Sequence, residues 1–320
     1  MTTARAIHTI ALHEAPLRSP VWKRWLSVQA YGLVTRRLFP AHASPHTMRA
    51  RFERFAHTPR EKLQRKYPKL VFEDHSFRDR AMESVRAMDE PSCVLMHLHG
   101  GAYFMGAPAS YRSRTMRLSY RCDAEVFAPD YRLAPEHPAP AALEDALDAW
   151  CELKRLRPGV PMFVSGDSAG GGLAISLMAA LRDQGLPLPD GAVLFSPWTD
   201  LSTSGASIDD NDRRDVWLSR AHCETWAGHY LGDVHPCDPR VSPVYASFEG
   251  LPSIMLLVGD QEVLLDDARR VHDKALAAGV ASVLHVGKDM QHDWPLTLPW
   301  LEESTEAWTA IAGFVARRRD

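Results

Sequence analysis

Short apolar runs alternate with longer amphipathic segments from about residue 70 to the C-terminus. This alternation predicts an α/β fold with a mostly parallel sheet of about eight strands, covered by helices on both faces, and the first strands are expected to be antiparallel. The predicted strands lie near 70–76, 81–88, 93–98, 124–129, 161–165, 192–196, 254–258 and 281–286, and the predicted helices near 110–121, 138–156, 169–184, 265–278 and 301–317.

Two segments, residues 1–66 and 199–243, depart from this alternation. In the first, helical apolar spacing follows Ser19-Pro20, and a second helix is predicted at 45–55. The second begins with polar sequence and then predicts a helix at 219–231, before two prolines interrupt the pattern.

Charge is distributed unevenly along the chain. Residues 1–66 carry thirteen Lys or Arg against three Glu and no Asp, although the formal net charge of the whole chain is only −3. A basic segment of this kind is compatible with docking on the acidic remainder of the chain, or with contact to an anionic partner such as a membrane surface.

The segment 166–170 places a serine between two glycines, after an apolar run and before a helical segment. This Gly-x-Ser-x-Gly pattern is typical of a nucleophile elbow, in which a strained backbone holds the hydroxyl of Ser168 above the edge of the sheet. We expect side chains at Gly166 and Gly170 to collide with the adjoining strand and helix. A glycine-rich turn that contains a serine by chance is the alternative.

A second glycine-containing loop, His99-Gly100-Gly101-Ala102, follows the strand predicted at 93–98. The backbone N–H groups of Gly100 and Gly101, together with that of Ala169 after the serine, are candidates to stabilise an oxyanion. The alternatives are an ordinary strand-ending turn and a metal site at His97 and His99, which we disfavour because no further ligand follows at short spacing.

A base and an acid are available downstream of the serine. The loop after the strand at 254–258 contains Asp260, Glu262, Asp266 and Asp267, and His292 follows the last predicted strand. The order serine, acid, histidine is that of the α/β-hydrolases.

Taken together, these motifs resemble those of the hormone-sensitive-lipase-like esterases, the bacterial family IV group of α/β-hydrolases. The resemblance rests on residues 99–102, 130–145 and 166–170 and covers the chain from about Leu70. It implies that Ser168 is the nucleophile and His292 the base.

The resemblance also implies Gly100, Gly101 and Ala169 as oxyanion donors. The family's acid motif places Glu262 where aspartate is usual, and Asp260 is the second choice. Ala102 replaces the third glycine of the common loop, which we expect to be harmless if that position donates nothing to the oxyanion.

In such esterases, N-terminal helices form part of a cap over the active site. We therefore expect residues 1–66 and 199–243 to cap a catalytic domain formed by 67–198 and 244–320. The apolar face of the first helix, which contains Trp22, Trp25, Leu26 and Leu33, is expected to line or roof the pocket. The aromatic residues expected at the substrate pocket are Tyr103, Trp198, Trp294 and Trp25, although Trp294 could equally be a packing residue.

The sequence therefore predicts a serine carboxylesterase that hydrolyses short- to medium-chain esters through an acyl-enzyme, with no metal or organic cofactor. A lactonase, an amidase and a non-catalytic ligand-binding protein of the same fold are the alternatives. The expected partner is a small-molecule ester, with no nucleic acid and no integral membrane association, and a homodimer is allowed. Because the five cysteines are scattered and no signal-peptide pattern is recognised, a cytoplasmic location is predicted.

Overall fold

The computed structural model describes residues 13–14 and 19–318, which contain one nine-stranded sheet with helices packed against it. The strands are β1 (His13–Glu14), β2 (Val71–Phe77), β3 (Arg80–Arg86), β4 (Cys93–Leu98), β5 (Ala124–Pro129), β6 (Met162–Asp167), β7 (Gly191–Phe195), β8 (Ile254–Gly259) and β9 (Ser282–Gly287).

The helices are α1 (Val21–Leu38), α2 (Pro45–Ala56), α3 (Arg60–Lys66), α4 (Pro108–Cys122), α5 (Ala141–Leu156), α6 (Ala169–Asp183), α7 (Ser207–Asp210), α8 (Arg220–Leu231), α9 (Leu265–Ala277), α10 (Trp294–Thr297) and α11 (Glu302–Ala316), with a 3₁₀ turn at Pro243–Tyr245.

The sheet order is β1-β9-β8-β7-β6-β4-β5-β3-β2, and every pair is parallel except β2 with β3 and β3 with β5. The central strands are buried on both faces, which is why they appear in the sequence as continuous apolar runs. The predicted α/β fold, its eight main strands and the antiparallel start are therefore confirmed. The carboxyl ends of β4, β6, β8 and β9 share one edge, so the loops that follow them converge.

The α1 helix lies directly against the segment 199–243. A Cβ atom at Gly32 would lie 2.6 Å from Cβ of Val216, so only glycine permits this approach. Arg36 Nε donates to the Val216 carbonyl at 2.9 Å, and the rings of Tyr31 and Trp217 meet edge-on at 5.9 Å. Helix α1 and the segment 199–243 are therefore packed closely against each other.

Several cations of the basic segment pair with carboxylates of the rest of the chain. Arg24 Nη1 lies 3.7 Å from Glu303 Oε1, and Arg49 Nη2 lies 2.7 Å from Glu136 Oε2. Arg60 pairs with Glu83. These ion pairs provide partners for part of the segment's positive charge.

The orientation of α1 differs from the sequence prediction. Trp22, Trp25 and Leu33 are 66%, 60% and 66% exposed, whereas the buried residues of this helix are Arg24, Val28, Gly32 and Thr35. The inward face is fixed by the Arg24–Glu303 pair and by the close approach at Gly32, neither of which is visible in a hydrophobic pattern. Residues 1–12 and 15–18 of the predicted cap segment lie outside the described residues.

Among the described residues, no helix combines the length and the apolar character needed to span a bilayer.

Candidate active site

Ser168 occupies the sharp turn between β6 and α6, with φ of 54° and ψ of −122°. This is a strained conformation for a residue with a side chain, and it is the backbone geometry of a nucleophile elbow. A Cβ atom at Gly166 would overlap the carbonyl oxygen of Gly170, and one at Gly170 would overlap that of Leu98. Glycine is therefore required on both sides of the serine by the close approach of strand and helix.

Glu262 and His292 are joined by a hydrogen bond of 2.9 Å between Oε2 and Nδ1, and both side chains are almost completely buried. The other carboxylate oxygen, Oε1, accepts from Ser196 Oγ at 2.7 Å. Asp260 instead accepts from the backbone N–H of Asp289 at 2.8 Å. Of the two candidate acids, the structure brings Glu262 and not Asp260 to the histidine.

Ser168 and His292 line the same narrow cavity, which has a volume of about 20 Å³. A groove of about 630 Å³ adjoins it, and Phe52, Arg114 and Trp217 line both spaces. Bulky side chains from α2, α4, α8 and the segment 199–243 complete the cavity wall: Phe52, Tyr111, Trp217, Leu218 and Trp226.

The loop after β4 corrects the expected set of oxyanion donors. The N–H of Gly100 donates to Asp167 Oδ1 at 3.0 Å, so its one proton is already used inside the protein. Gly101 and Ala102, both at positive φ, line the cavity beside Ser168. The Gly100 N–H is therefore not free to act as the predicted oxyanion donor, whereas Gly101 and Ala102 both lie beside the serine.

Three of the four aromatic residues expected in the pocket are packed behind it. Tyr103 stacks on Tyr230 with ring centroids 3.7 Å apart, and Trp198 and Trp294 are buried without lining the cavity. The fourth, Trp25, is exposed on α1. The pocket prediction therefore fails for Tyr103, Trp198 and Trp25, whereas Trp294 fits the alternative of a packing residue. The direction of each side chain depends on the local backbone, which the sequence does not give.

The two histidines considered for a metal site have other partners. His97 Nδ1 lies 2.8 Å from Ser165 Oγ, and its Nε2 lies 3.2 Å from Asp167 Oδ1. His99 stacks on Tyr131, and burial lowers the pKa of its imidazole to about 4. Both support the loop that carries Gly100 to Ala102.

Comparison with known proteins places this geometry in a family. A family model described as the alpha/beta hydrolase fold matches residues 95–296. The chain belongs to the α/β-hydrolases. Within them it falls among the hormone-sensitive-lipase-like esterases, as the resemblance predicted, and it is a carboxylic ester hydrolase.

Relatives that are named as esterases or acetyl-hydrolases align with most of the chain. An acetyl-hydrolase of Streptomyces hygroscopicus is 39% identical over 236 residues, 73% of this chain and 78% of the relative. An esterase of Acinetobacter venetianus is 34% identical over 235 residues, 72% of this chain and 77% of the relative.

Solved structures with a similar fold are also esterases. A crystal structure of an esterase from the bacterial hormone-sensitive lipase family has a TM-score of 0.84 at 30% identity, covering 95% of this chain and all of that one. An esterase/lipase from an uncultured bacterium has a TM-score of 0.82 at 32% identity, covering 92% of this chain and 98% of that one.

A second carboxylate lies beside the histidine of this esterase. Asp293 Oδ2 is 3.5 Å from His292 Nε2, the nitrogen that does not bind Glu262. Burial alone would lower the pKa of His292, but the carboxylates of Asp293 and Glu262 outweigh it and raise the pKa to about 9. The pKa of Asp293 is also raised, because its carboxyl is buried. The pair therefore keeps one proton to higher pH than an isolated imidazole.

We predict that Asp293→Asn shifts the acid limb of the kcat/KM profile to lower pH. A histidine acts as a base only when neutral, and its raised pKa means that the neutral form is lost as pH falls below about 9. Removing the Asp293 charge lowers this pKa, so the ratio of kcat/KM at pH 6.5 to that at pH 9 is expected to rise roughly tenfold. The measurement is a pH profile on a soluble ester.

Asp289→Asn is the matched control, because this carboxylate belongs to the same loop but is half exposed. An unchanged acid limb in Asp293→Asn would show that Asp293 does not set the protonation of His292.

Sequence reasoning missed the residues that shape the cavity. Phe52 and Arg114 come from helices that were predicted, but the predictions could not say which face meets the serine. Trp217 lies in the segment expected to form a cap, and the apolar run Val216-Trp217-Leu218 within polar sequence was a signal that could have identified it.

Proposed function

We propose that this esterase uses Ser168 as its nucleophile, His292 as general base and Glu262 as the acid that orients the histidine. The observation that carries the proposal is the buried hydrogen bond between Glu262 and His292, with Ser168 in the same cavity. Glu262 fixes the imidazole through Nδ1, which leaves Nε2 to accept the serine proton.

The backbone N–H groups of Gly101, Ala102 and Ala169 are the proposed oxyanion donors. They border the attacking hydroxyl: Gly101 and Ala102 line the serine cavity, and Ala169 begins α6 directly after Ser168. Donors fixed in the backbone are already oriented when negative charge develops on the carbonyl oxygen, so they stabilise the transition state without reorganisation.

The reaction then has two stages. In the first, the Ser168 oxygen bonds to the ester carbonyl carbon, His292 receives the hydroxyl proton, and that proton passes to the alkoxide as the alcohol leaves. In the second, water gives a proton to His292 as its oxygen bonds to the acyl carbon. The bond from that carbon to the Ser168 oxygen then breaks, the serine oxygen takes the proton back from His292, and the carboxylic acid departs.

The shape of the site favours small acyl groups, and a cap covers the serine. The narrow cavity favours a short acyl group, and a relative at 39% identity is an acetyl-hydrolase. The layer formed by α1, α2 and the segment 199–243 acts as the cap, because Phe52, Trp217 and Trp226 from it roof the serine. The adjoining groove would take the remainder of the ester.

Rapid mixing with a series of p-nitrophenyl esters tests this function. We expect a burst of nitrophenol that approaches one equivalent of enzyme where deacylation is slower than acylation, and kcat/KM that falls from acetate and butyrate to octanoate. A preference for octanoate would contradict the short-chain proposal.

A further inference from the structure

A guanidinium nitrogen with no hydrogen-bond acceptor in the described part of the chain lies where the serine cavity meets the groove. Arg114, on α4, lines both spaces. Its Nη1 atom is buried and has no acceptor, and among the described residues no carboxylate forms an ion pair with its guanidinium. Buried guanidinium groups normally have acceptors, because an unmatched charged donor is costly. The described residues therefore leave the Nη1 donors of Arg114 unused, although its guanidinium carbon lies 4.3 Å from the centre of the Tyr111 ring.

Neighbouring arginines on the same helix are not in this position. Arg112 Nη2 lies 2.7 Å from Glu83 Oε2, and Arg117 Nη1 donates to the Leu296 carbonyl at 3.2 Å. The missing partner is thus a property of the Arg114 site and not of α4.

Two further residues that line the groove carry donors that have no partner among the described residues. Tyr31 Oη and Trp217 Nε1 are buried with no hydrogen-bond partner, and both residues line the groove with Arg114. Burial raises the pKa of Tyr31 well above its usual range, so its hydroxyl keeps its proton and can donate. A guanidinium with a phenol and an indole N–H is a set of donors that fits an oxygen-rich anion, above all a carboxylate.

A competing explanation for the position of Arg114 is that its positive charge balances buried negative charge. Arg114 is close enough to stabilise the buried carboxylates of Asp167 and Asp293 electrostatically. However, Asp167 already accepts from the Gly100 N–H and from the Tyr111 hydroxyl. Asp293 forms its ion-pair contact with His292 and none with Arg114. Balancing these two negative charges therefore provides no hydrogen-bond acceptor for the donors of Arg114, Tyr31 and Trp217.

We propose that the esterase selects esters that carry a free carboxylate a few atoms from the scissile carbonyl, and that Arg114, Tyr31 and Trp217 bind this carboxylate. The position of Arg114 between the cavity and the groove allows the carboxylate to be held while the ester carbonyl lies at Ser168. This inference rests on the proposed function, because Ser168 performs the hydrolysis.

Two matched substrate pairs test it and locate the carboxylate. Monoethyl glutarate against ethyl butyrate places the charge on the acyl side, and 4-acetoxybutanoate against butyl acetate places it on the alcohol side. Hydrolysis is followed by titration of the released acid at constant pH. We expect the wild-type esterase to prefer the charged member of at least one pair.

Arg114→Gln is expected to lower kcat/KM for that charged member by about 10- to 100-fold, the size of a lost charge-assisted hydrogen bond, and for its neutral partner by less than about threefold. Arg114→Lys keeps the charge without the planar fork and should retain part of the preference. Arg121→Gln, which removes an exposed charge from the same helix, should leave the preference unchanged.

Equal loss on the charged and neutral members in Arg114→Gln would overturn the proposal and assign Arg114 to charge compensation. A wild-type enzyme with no preference in either pair would also overturn it. Calorimetric binding of glutarate and butyrate to the Ser168→Ala protein gives a readout that needs neither turnover nor a folded Arg114 variant. Tighter binding of glutarate is expected, and equal affinity contradicts the proposal. Failure of the wild type to hydrolyse any ester would instead contradict the proposed function.

Discussion

Ser168→Ala is expected to lower kcat for ester hydrolysis by about four to six orders of magnitude, which is the largest effect of any single substitution here. The elbow presents this hydroxyl in the cavity that also contains His292, and among the described residues no other serine or threonine lines that cavity. Initial rates with p-nitrophenyl butyrate, and circular dichroism to verify folding, provide the measurement.

Ser176→Ala is the matched control for this substitution. It removes a buried hydroxyl from the same helix, α6, at a position that has no hydrogen-bond partner among the described residues and does not line the cavity. Its activity should stay within about twofold of wild type. A folded Ser168→Ala enzyme that kept a tenth of wild-type activity would show that another group is the nucleophile.

Glu262→Gln is expected to lower kcat by about two to four orders of magnitude. The amide can still contact His292, but it lacks the negative charge that stabilises the imidazolium formed during attack. It can also present its NH₂ group to Nδ1 and so favour the wrong tautomer. The measurement is kcat on a soluble ester, with KM expected to change little because Glu262 does not line the cavity.

Asp260→Asn separates the two carboxylates that the sequence left as candidates. Asp260 accepts from the N–H of Asp289 and lies outside the cavity, so its kcat should change by less than about threefold. If Asp260→Asn were the more damaging substitution, the acid would be Asp260, and the Glu262–His292 hydrogen bond would have a structural role.

The sheet could be predicted because its strands are buried on both faces. Strands such as Ile254–Gly259 leave continuous apolar runs in the sequence, and the observed ends fall within a few residues of those predicted. Helix α3 was missed because its sequence, Arg-Glu-Lys-Leu-Gln-Arg-Lys, contains a single apolar residue and therefore shows no amphipathic period.

Only those parts of the candidate site could be predicted in which a short sequence motif determines the local backbone conformation. The glycines around Ser168 indicate that strand and helix approach each other closely, because a residue with a Cβ atom would not fit there. In contrast, the Gly100 N–H is already bonded inside the protein because of the Asp167 side chain, 67 residues away along the chain.

The sequence also did not predict which face of each helix is turned toward the active site. The tryptophans of α1 were expected to face the pocket, but Trp22 and Trp25 face outward, because Gly32 and Arg24 fix the opposite face of the helix. The sequence likewise gave no indication that Arg114 would reach the cavity, since its role depends on how α4 packs against α2.

The central claim, that Ser168 is the group acylated during turnover, is tested most directly by locating a covalent label. The enzyme is inactivated with a diethyl phosphate ester, digested, and analysed by peptide mass spectrometry. The account predicts one diethylphosphoryl group per chain, carried by the peptide that contains Gly166 to Gly170 and assigned to Ser168 by fragmentation. A label on any other residue, or full inactivation without a label on Ser168, would contradict it.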